Sequence, residues 1–345
     1  MANIDRVLVV GLGSIGLRHI RIVREILPNS TIKILRHAVN NYCPPEANGI
    51  FMKLSDAIDY GPQIVVVANP SSKHLDIAST FAQIGSHLLV EKPLTDSFES
   101  SRQLVNICRQ CNVTLMTGYN LRFLESLRIF RQAIDQEIVG KPLAIRAESG
   151  SYLPDWRPGF DYRKSVSAQH SLGGGVLLEL SHEIDYLRWI FGDVISVWAQ
   201  LGQKSSLEID VEDSAIMNLE FFRPDNKEKI NAAVNLDFYR HDPVRLCTVI
   251  CEGGTLKWNA LDGTVEKFCQ GSTSWEAIFH GPLGLEMSYF AEWRNFLEAI
   301  DGVSPLFVTG EDGLAALEII EAVRLSSSSR TVVSIADRQS LGVHK

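Results

Sequence analysis

No stretch of this 345-residue chain reaches the ~18 consecutive apolar residues of a bilayer-spanning helix, so no membrane partner is expected. Cationic charge is scarce as well. The 33 Lys and Arg residues stand against 41 Asp and Glu, a net charge of -8. No stripe of cations is placed to neutralise a phosphate backbone, and nucleic acid is not expected as a partner. The six cysteines are Cys43, Cys108, Cys111, Cys247, Cys251 and Cys269. They include one CxxC pair and no second, too few ligands for structural zinc, and no metal is expected. They read as reduced packing residues, the alternative being a redox pair at Cys108 and Cys111. The opening MANIDRVLVVGLG carries no basic leader, so the expected location is the cytoplasm. What remains is ordinary for a folded chain with a sizeable core, with 45% hydrophobic residues and 8% aromatics, and the length favours two domains.

The first third alternates two textures. RVLVVGLGSIGLRHIRIVREIL begins as a β-branched run, turns through glycines and continues with apolar residues at helical spacing through Ile20, Val23 and Leu27. TIKIL, IVVVA and HLLVE repeat the strand texture, with helical patterns KLSDAID and SSKHLDIASTFAQIG between them. SFESSRQLVNICRQCN and VTLMTGY close the unit near Asn120. Strands alternating with helices predict an α/β, doubly wound parallel sheet. Beyond Asn120 the runs lengthen and alternate, as in PLAIRAESGSYL, VISVWAQLG, SAIMNLEFF and KINAAVNLDFY. These suit a largely antiparallel, half-exposed sheet in an α+β domain. The expected division is 1–120 and 121–345.

Gly11, Gly13 and Gly16 form G-x-G-x-x-G between the first strand and the first helix. Only this context gives the pattern force. The first glycine permits the turn, the second lets backbone approach a pyrophosphate and the third packs helix on strand, with Ser14 and Ile15 at the helix start beside the anion. NAD-selective sites place a carboxylate about 20 residues further on. Here Arg36 and His37 occupy that region, which either suits the 2′-phosphate of NADP or is an exposed basic pair; the expectation tilts to NADP over NAD.

HLLVE delivers Lys92 to the carboxyl edge of the sheet, where ligands of open α/β sheets bind, and Pro93 disfavours helical backbone at the lysine. Asn69 and Pro70 end the preceding strand at the same edge. In GGGVLLELSHEIDYLRWIFG, Val176, Leu177, Leu180, Ile184, Leu187 and Ile190 predict one helix packed on one side. Glu179, His182 and Asp185 are spaced by three on its other stripe, so Asp185 can orient His182 as a general base, or the three form a solvated face.

GLGSIGLRH, ANPSSKH, VEKP, GYNLRF and the glycine-rich segment with H-x-x-D together resemble the glucose-fructose oxidoreductase, inositol dehydrogenase and MocA-type family of NAD(P)-dependent oxidoreductases. The likeness covers nearly the whole chain. It implies a Rossmann domain for the cofactor, with His74 and Glu91 added to the contacts above, and a C-terminal α/β domain whose open sheet makes a homodimer or homotetramer. It further implies that Lys92 lies near the nicotinamide, that His182 is the catalytic acid/base with Asp185 beside it, and that the substrate is a sugar, polyol or nucleotide-linked sugar. Many relatives place an acid four residues before the histidine, where this chain has Leu178; either Glu179, three before, takes its place or that contact is missing. In SYLPDWRPGFDYRKSVSAQHSLGGG, Trp156 and Tyr162 suit stacking on a sugar and Arg157 and Arg163 suit an anionic group, or the loop is an oligomer contact. Asn120 and Arg122 of GYNLRF either touch the ligand or pin the domain junction. A redox-neutral glycosidase or epimerase and a non-catalytic sensor are the competing functions.

Overall fold

The computed structural model describes residues 4–36, 42–223 and 228–335. By its internal contacts the chain forms two compact units, one of residues 1–120 with 289–317, the other of 121–288 with 318–345. A division made purely along the sequence assigns 289–317 to the second half; the chain in fact returns to the first.

The first unit opens with β1 (Arg6–Val10), α1 (Ser14–Ile26), β2 (Thr31–Leu35), β3 (Ile50–Phe51) and α2 (Leu54–Asp59). It continues with β4 (Ile64–Val67), α3 (His74–Gln83), β5 (His87–Glu91), α4 (Phe98–Gln110) and β6 (Leu115–Gly118). All strand pairs are parallel, in the order β3-β2-β1-β4-β5-β6. The unbroken apolar runs of β1 and β4 follow from burial on both faces: Val7 to Val9 and Ile64 to Val67 are fully enclosed. Successive crossovers run in opposite directions from β1, so the switch point lies between β1 and β4, and the residues ending those strands line the crevice where such sheets bind ligands.

The second unit contains α5 (Glu125–Asp135), β7 (Pro142–Gly150), α6 (Val176–Glu179), α7 (His182–Phe191), β8 (Asp193–Gly202), β9 (Ser214–Arg223) and β10 (Glu228–Asp237). Then follow β11 (Val244–Cys251), β12 (Gly254–Asn259), β13 (Thr264–Cys269), β14 (Glu276–His280), α8 (Leu285–Ile300), α9 (Gly310–Ser329) and β15 (Val333–Ser334); α8 and α9 each belong partly to the first unit. The nine strands run in the order β14-β13-β12-β11-β7-β10-β9-β8-β15, antiparallel except for the parallel β7–β10 pair. Alternation does the work here. Ile230, Ala232, Val234 and Leu236 of β10 point to one face and are buried, while the residues between them face out. The inner face packs on α5 and α7. Trp258 centres that core, in contact with the Phe130 and Tyr186 rings, its indole N–H donating to Ser126 Oγ at 3.0 Å.

The serine run ending α9 has a structural purpose. Ser326 Oγ accepts the Ala199 N–H at 3.0 Å and Ser327 Oγ the Leu201 N–H at 2.9 Å. The two hydroxyls thus satisfy donors of β8 beyond its short pairing with β15.

Candidate active site

The glycine loop has the geometry its spacing requires. Gly11 has φ +96°, and a Cβ there would lie 2.6 Å from the Ala68 carbonyl oxygen; one on Gly16 would lie 2.3 Å from the Gly11 oxygen. Both glycines therefore permit close backbone packing. Gly13 differs, because a Cβ on it would meet nothing within 4 Å. Its bare side is open space, as required where a ligand approaches. Gly13 also N-caps α1, no side chain caps this helix, and its first turn holds no acidic residue, so the positive end is left for an anion. Ser14 is exposed and Ile15 half-buried at that end.

At the end of β2, Arg36 Nη1 donates to the Tyr42 carbonyl at 3.3 Å, while its Nε is buried without a partner among the described residues. His37 lies outside the described residues. Asn69 and Pro70 follow β4, and the buried Asn69 Oδ1 likewise has no partner among the described residues. An orphaned guanidinium nitrogen, an orphaned amide oxygen and the uncapped helix start fit a dinucleotide with anionic and hydroxyl-rich groups. Lys92, half-buried, directly follows β5, and its peptide bond to Pro93 is cis. His74 and Glu91 are buried instead of facing outward. His74 Nε2 lies 2.8 Å from the Asn69 oxygen, and its Nδ1 3.2 Å from those of Pro93 and Leu94. Burial pulls the His74 pKa below its usual 6.5, against the pull of those carbonyls and of Glu91.

In the second unit the expected single helix is broken. α6 stops at Glu179, Leu180 takes φ -100° and ψ 27°, and a fresh helix starts at His182. Nor does it present a solvated stripe. His182 is 8%, Glu183 0% and Asp185 1% exposed, and Leu178 is buried too; Glu179 alone from 176 to 187 is half-buried. The break removes Glu179 from the helical register of His182. Arg122 and Asp185 come together: Nε donates to Oδ2 at 2.9 Å and Nη2 to Oδ1 at 2.6 Å. This is a buried fork-to-fork pair. Glu183, which the sequence reading passed over, accepts a 2.7 Å hydrogen bond from Arg245 Nε on β11. Two ion pairs thus hold the first turn of α7, at Glu183 and Asp185 just after His182.

The loop from Ser151 to Leu172 gathers Trp156, Arg157 and Tyr162 around a small cavity. Trp156 donates to Ser151 Oγ at 2.7 Å, and Tyr162 Oη accepts the Glu208 N–H at 3.1 Å. Arg163 is exposed and paired with Asp161 and Glu208. Asn120 ends the first unit, 1% exposed, and Arg122 falls in the second. Cys108 is buried and its thiol pushed up to about 12, far from a redox thiolate; all six cysteines are free.

Residues 6–119 match the oxidoreductase family, NAD-binding Rossmann fold, and residues 131–335 match the oxidoreductase family, C-terminal alpha/beta domain. The chain belongs to the GFO/IDH/MocA oxidoreductase family. The GFO/IDH/MocA chain is 25% identical over 342 residues to inositol 2-dehydrogenase of Rhizobium meliloti, covering 95% of this chain and 98% of the relative. It is 30% identical over 164 residues to 1,5-anhydro-D-fructose reductase of Ensifer adhaerens, a match spanning 46% of each. Among solved structures, levoglucosan dehydrogenase in complex with NADH superimposes with a TM-score of 0.80 at 18% identity, covering 96% of this chain and 99% of the other.

The sequence reading missed Glu183, Arg245 and the partners of Glu91. Glu183 has a helical-wheel signal, a charged residue among buried positions. Its partner is 62 residues away, and no local pattern points to it.

Proposed function

We propose that this protein is an NAD(P)-dependent dehydrogenase acting on a secondary alcohol of a sugar, polyol or nucleotide-linked sugar. The observation that carries the reading is the first unit's ligand edge, where the open side of Gly13 and the lysine after β5 belong to a sheet of order β3-β2-β1-β4-β5-β6. The nicotinamide supplies the group that takes or gives the hydride. Gly11, Gly13, Ser14, Ile15 and Gly16 hold the pyrophosphate; Arg36, Asn69 and Pro70 take the adenosine side and the ribose, with NADP favoured by the cation at Arg36. Lys92 polarises the substrate oxygen and shares its proton, and His182 serves as the general acid/base.

Asp185 supports this chemistry indirectly, by holding Arg122 and with it the start of the helix bearing His182. Trp156, Arg157 and Tyr162 present stacking and cationic groups to the substrate, whereas Glu208 and Asp161 already engage Arg163. The inositol and levoglucosan dehydrogenases named above support a polyol or sugar substrate. Exposed Trp198 and Ile216 on β8 and β9 support a homodimer or homotetramer built on the outer face of the large sheet. Six free cysteines fit a reducing compartment such as the cytoplasm.

The test is a screen of NAD and NADP reduction against free, acidic and nucleotide-linked sugars and polyols, with Lys92→Ala beside the natural protein. Turnover with one class, abolished in Lys92→Ala while cofactor binding persists, supports the reading. Undiminished turnover in Lys92→Ala removes the lysine from the mechanism. Failure to bind either dinucleotide overturns the whole.

A further inference from the structure

The stretch that carries Lys92 is gripped from two sides by buried histidines. On one side is His19 of α1, with no exposed surface. Its Nδ1 receives the Trp293 indole N–H at 2.9 Å, and an indole only donates. That nitrogen therefore carries no proton. The ring is held as the neutral tautomer protonated at Nε2, which donates to Glu91 Oε1 at 2.8 Å. The other oxygen of Glu91 accepts the backbone N–H of Lys92 at 3.2 Å. Space for this carboxyl comes from Gly118, paired with Glu91 across β5 and β6; a Cβ there would sit 3.1 Å from it. On the other side His74 spans from Asn69 to Pro93 and Leu94.

A row of directed hydrogen bonds thus runs from Trp293 through His19 and Glu91 to the amide of Lys92. An apolar cluster of equal volume would bury the same surface and close the same gap between α1 and β5. It would not fix the orientation of the strand end, because dispersion has no direction and hydrogen bonds do. The row ends on the backbone of the residue whose side chain must meet a reacting oxygen, where small displacements are costly.

We propose that His19 and Glu91, with Trp293 fixing the imidazole tautomer, are positioning residues that aim the Lys92 side chain. The proposal rests on the role given to Lys92 above, and its test is kept separate from that role. Lysines of the full-length protein are reductively methylated with 13C-formaldehyde, and the Lys92 signal is identified by its loss in Lys92→Ala. The natural protein is expected to give one sharp, dispersed Lys92 signal. His19→Phe keeps the ring volume and removes both hydrogen bonds, leaving Glu91 Oε1 and the Trp293 N–H without that partner, so its melting temperature is expected to fall; its Lys92 signal is expected to collapse to the position of a freely rotating lysine, with NADH affinity little changed. His19→Gln, which retains a donor toward Glu91, is expected to restore the dispersed signal.

An unshifted Lys92 signal in folded His19→Phe overturns the proposal, as does failure of His19→Gln to restore it. Should His19→Phe not fold, Trp293→Phe removes the single N–H that sets the tautomer and is expected to broaden the same signal; no change there overturns the proposal equally. Whether NADH perturbs the Lys92 signal, and whether Lys92→Ala turns over, judges the catalytic role alone.

Discussion

Arg122 holds Asp185 through two hydrogen bonds in a site where neither side chain is more than 4% exposed. Removing one partner strands the other charge away from water. Arg122→Met is therefore expected to destabilise the protein by about 3–5 kcal/mol in urea unfolding, whereas the double variant Arg122→Met/Asp185→Leu should recover most of that loss. Recovery of stability without recovery of turnover would separate the structural part of the pair from its part in the chemistry. Equal stability of the single and double variants would contradict the buried pair.

Gly13 and Gly16 should respond to alanine in opposite ways. At Gly16 the new methyl would sit 2.3 Å from a carbonyl oxygen, so Gly16→Ala is expected to melt well below the natural protein. Gly13→Ala meets no protein atom within 4 Å and should fold normally while losing NAD(P)H binding. Calorimetry with cofactor titration measures both, and normal binding by Gly13→Ala would displace the pyrophosphate from this loop.

Glu292 of α8 is fully buried, and neither carboxyl oxygen has a partner among the described residues. Burial, with the charge of Glu91 adding to it, raises its pKa well above the usual 4.5. Above pH 4.5 the unfolded chain gives up this proton while the folded one keeps it. Stability contributed by this group is thus complete below that pH and declines as pH rises toward the folded pKa. Relative to Glu292→Gln, the natural protein should lose up to about 1.4 kcal/mol per pH unit in that window. The comparison matters because His74 and His87, with lowered pKa values, act the other way and remove stability as pH falls below 6.5. Denaturation curves of the two proteins that stay parallel from pH 4 to 8 would refute the neutral acid.

Arg36 offers the discriminating test of the cofactor. Loss of a charge-assisted hydrogen bond to the 2′-phosphate, about 1.5–3 kcal/mol, corresponds to a rise of about 10–100-fold in KM for NADP. Arg36→Ala should show that rise and leave NAD unaffected. An unchanged KM for NADP would assign the site to NAD.

The parallel sheet is legible because its central strands are buried on both faces, and only unbroken runs such as IVVV satisfy that burial. The glycine loop is legible because two of its glycines answer to backbone collisions that no other residue avoids. The interruption after Glu179 is not, since the apolar spacing from Val176 to Ile190 keeps the helical period across it and the break lies in the backbone of Leu180. His74 and Glu91 illustrate a second limit. Their place beside the ligand edge is readable, but their inward direction depends on His19, Asn69 and Trp293. Trp293 lies 274 residues from the histidine whose tautomer it sets, and no local pattern spans that distance.

The start of α9 lies flush on the end of β6. Thr117 Oγ1 donates to the Thr309 carbonyl at 3.0 Å, and a Cβ on Gly313 would fall 2.5 Å from that same Oγ1. The first unit therefore waits for a piece, residues 289–317, that is made long after residue 120. A ribosome that has released residues 1–120 has released a sheet still lacking one of its covers, and all of the second sheet except β15 is threaded out before that cover arrives. Fragments ending near Asn120 should accordingly be sticky and short-lived in cells, and splitting or permuting this polypeptide will succeed only where residues 289–317 travel with the first 120.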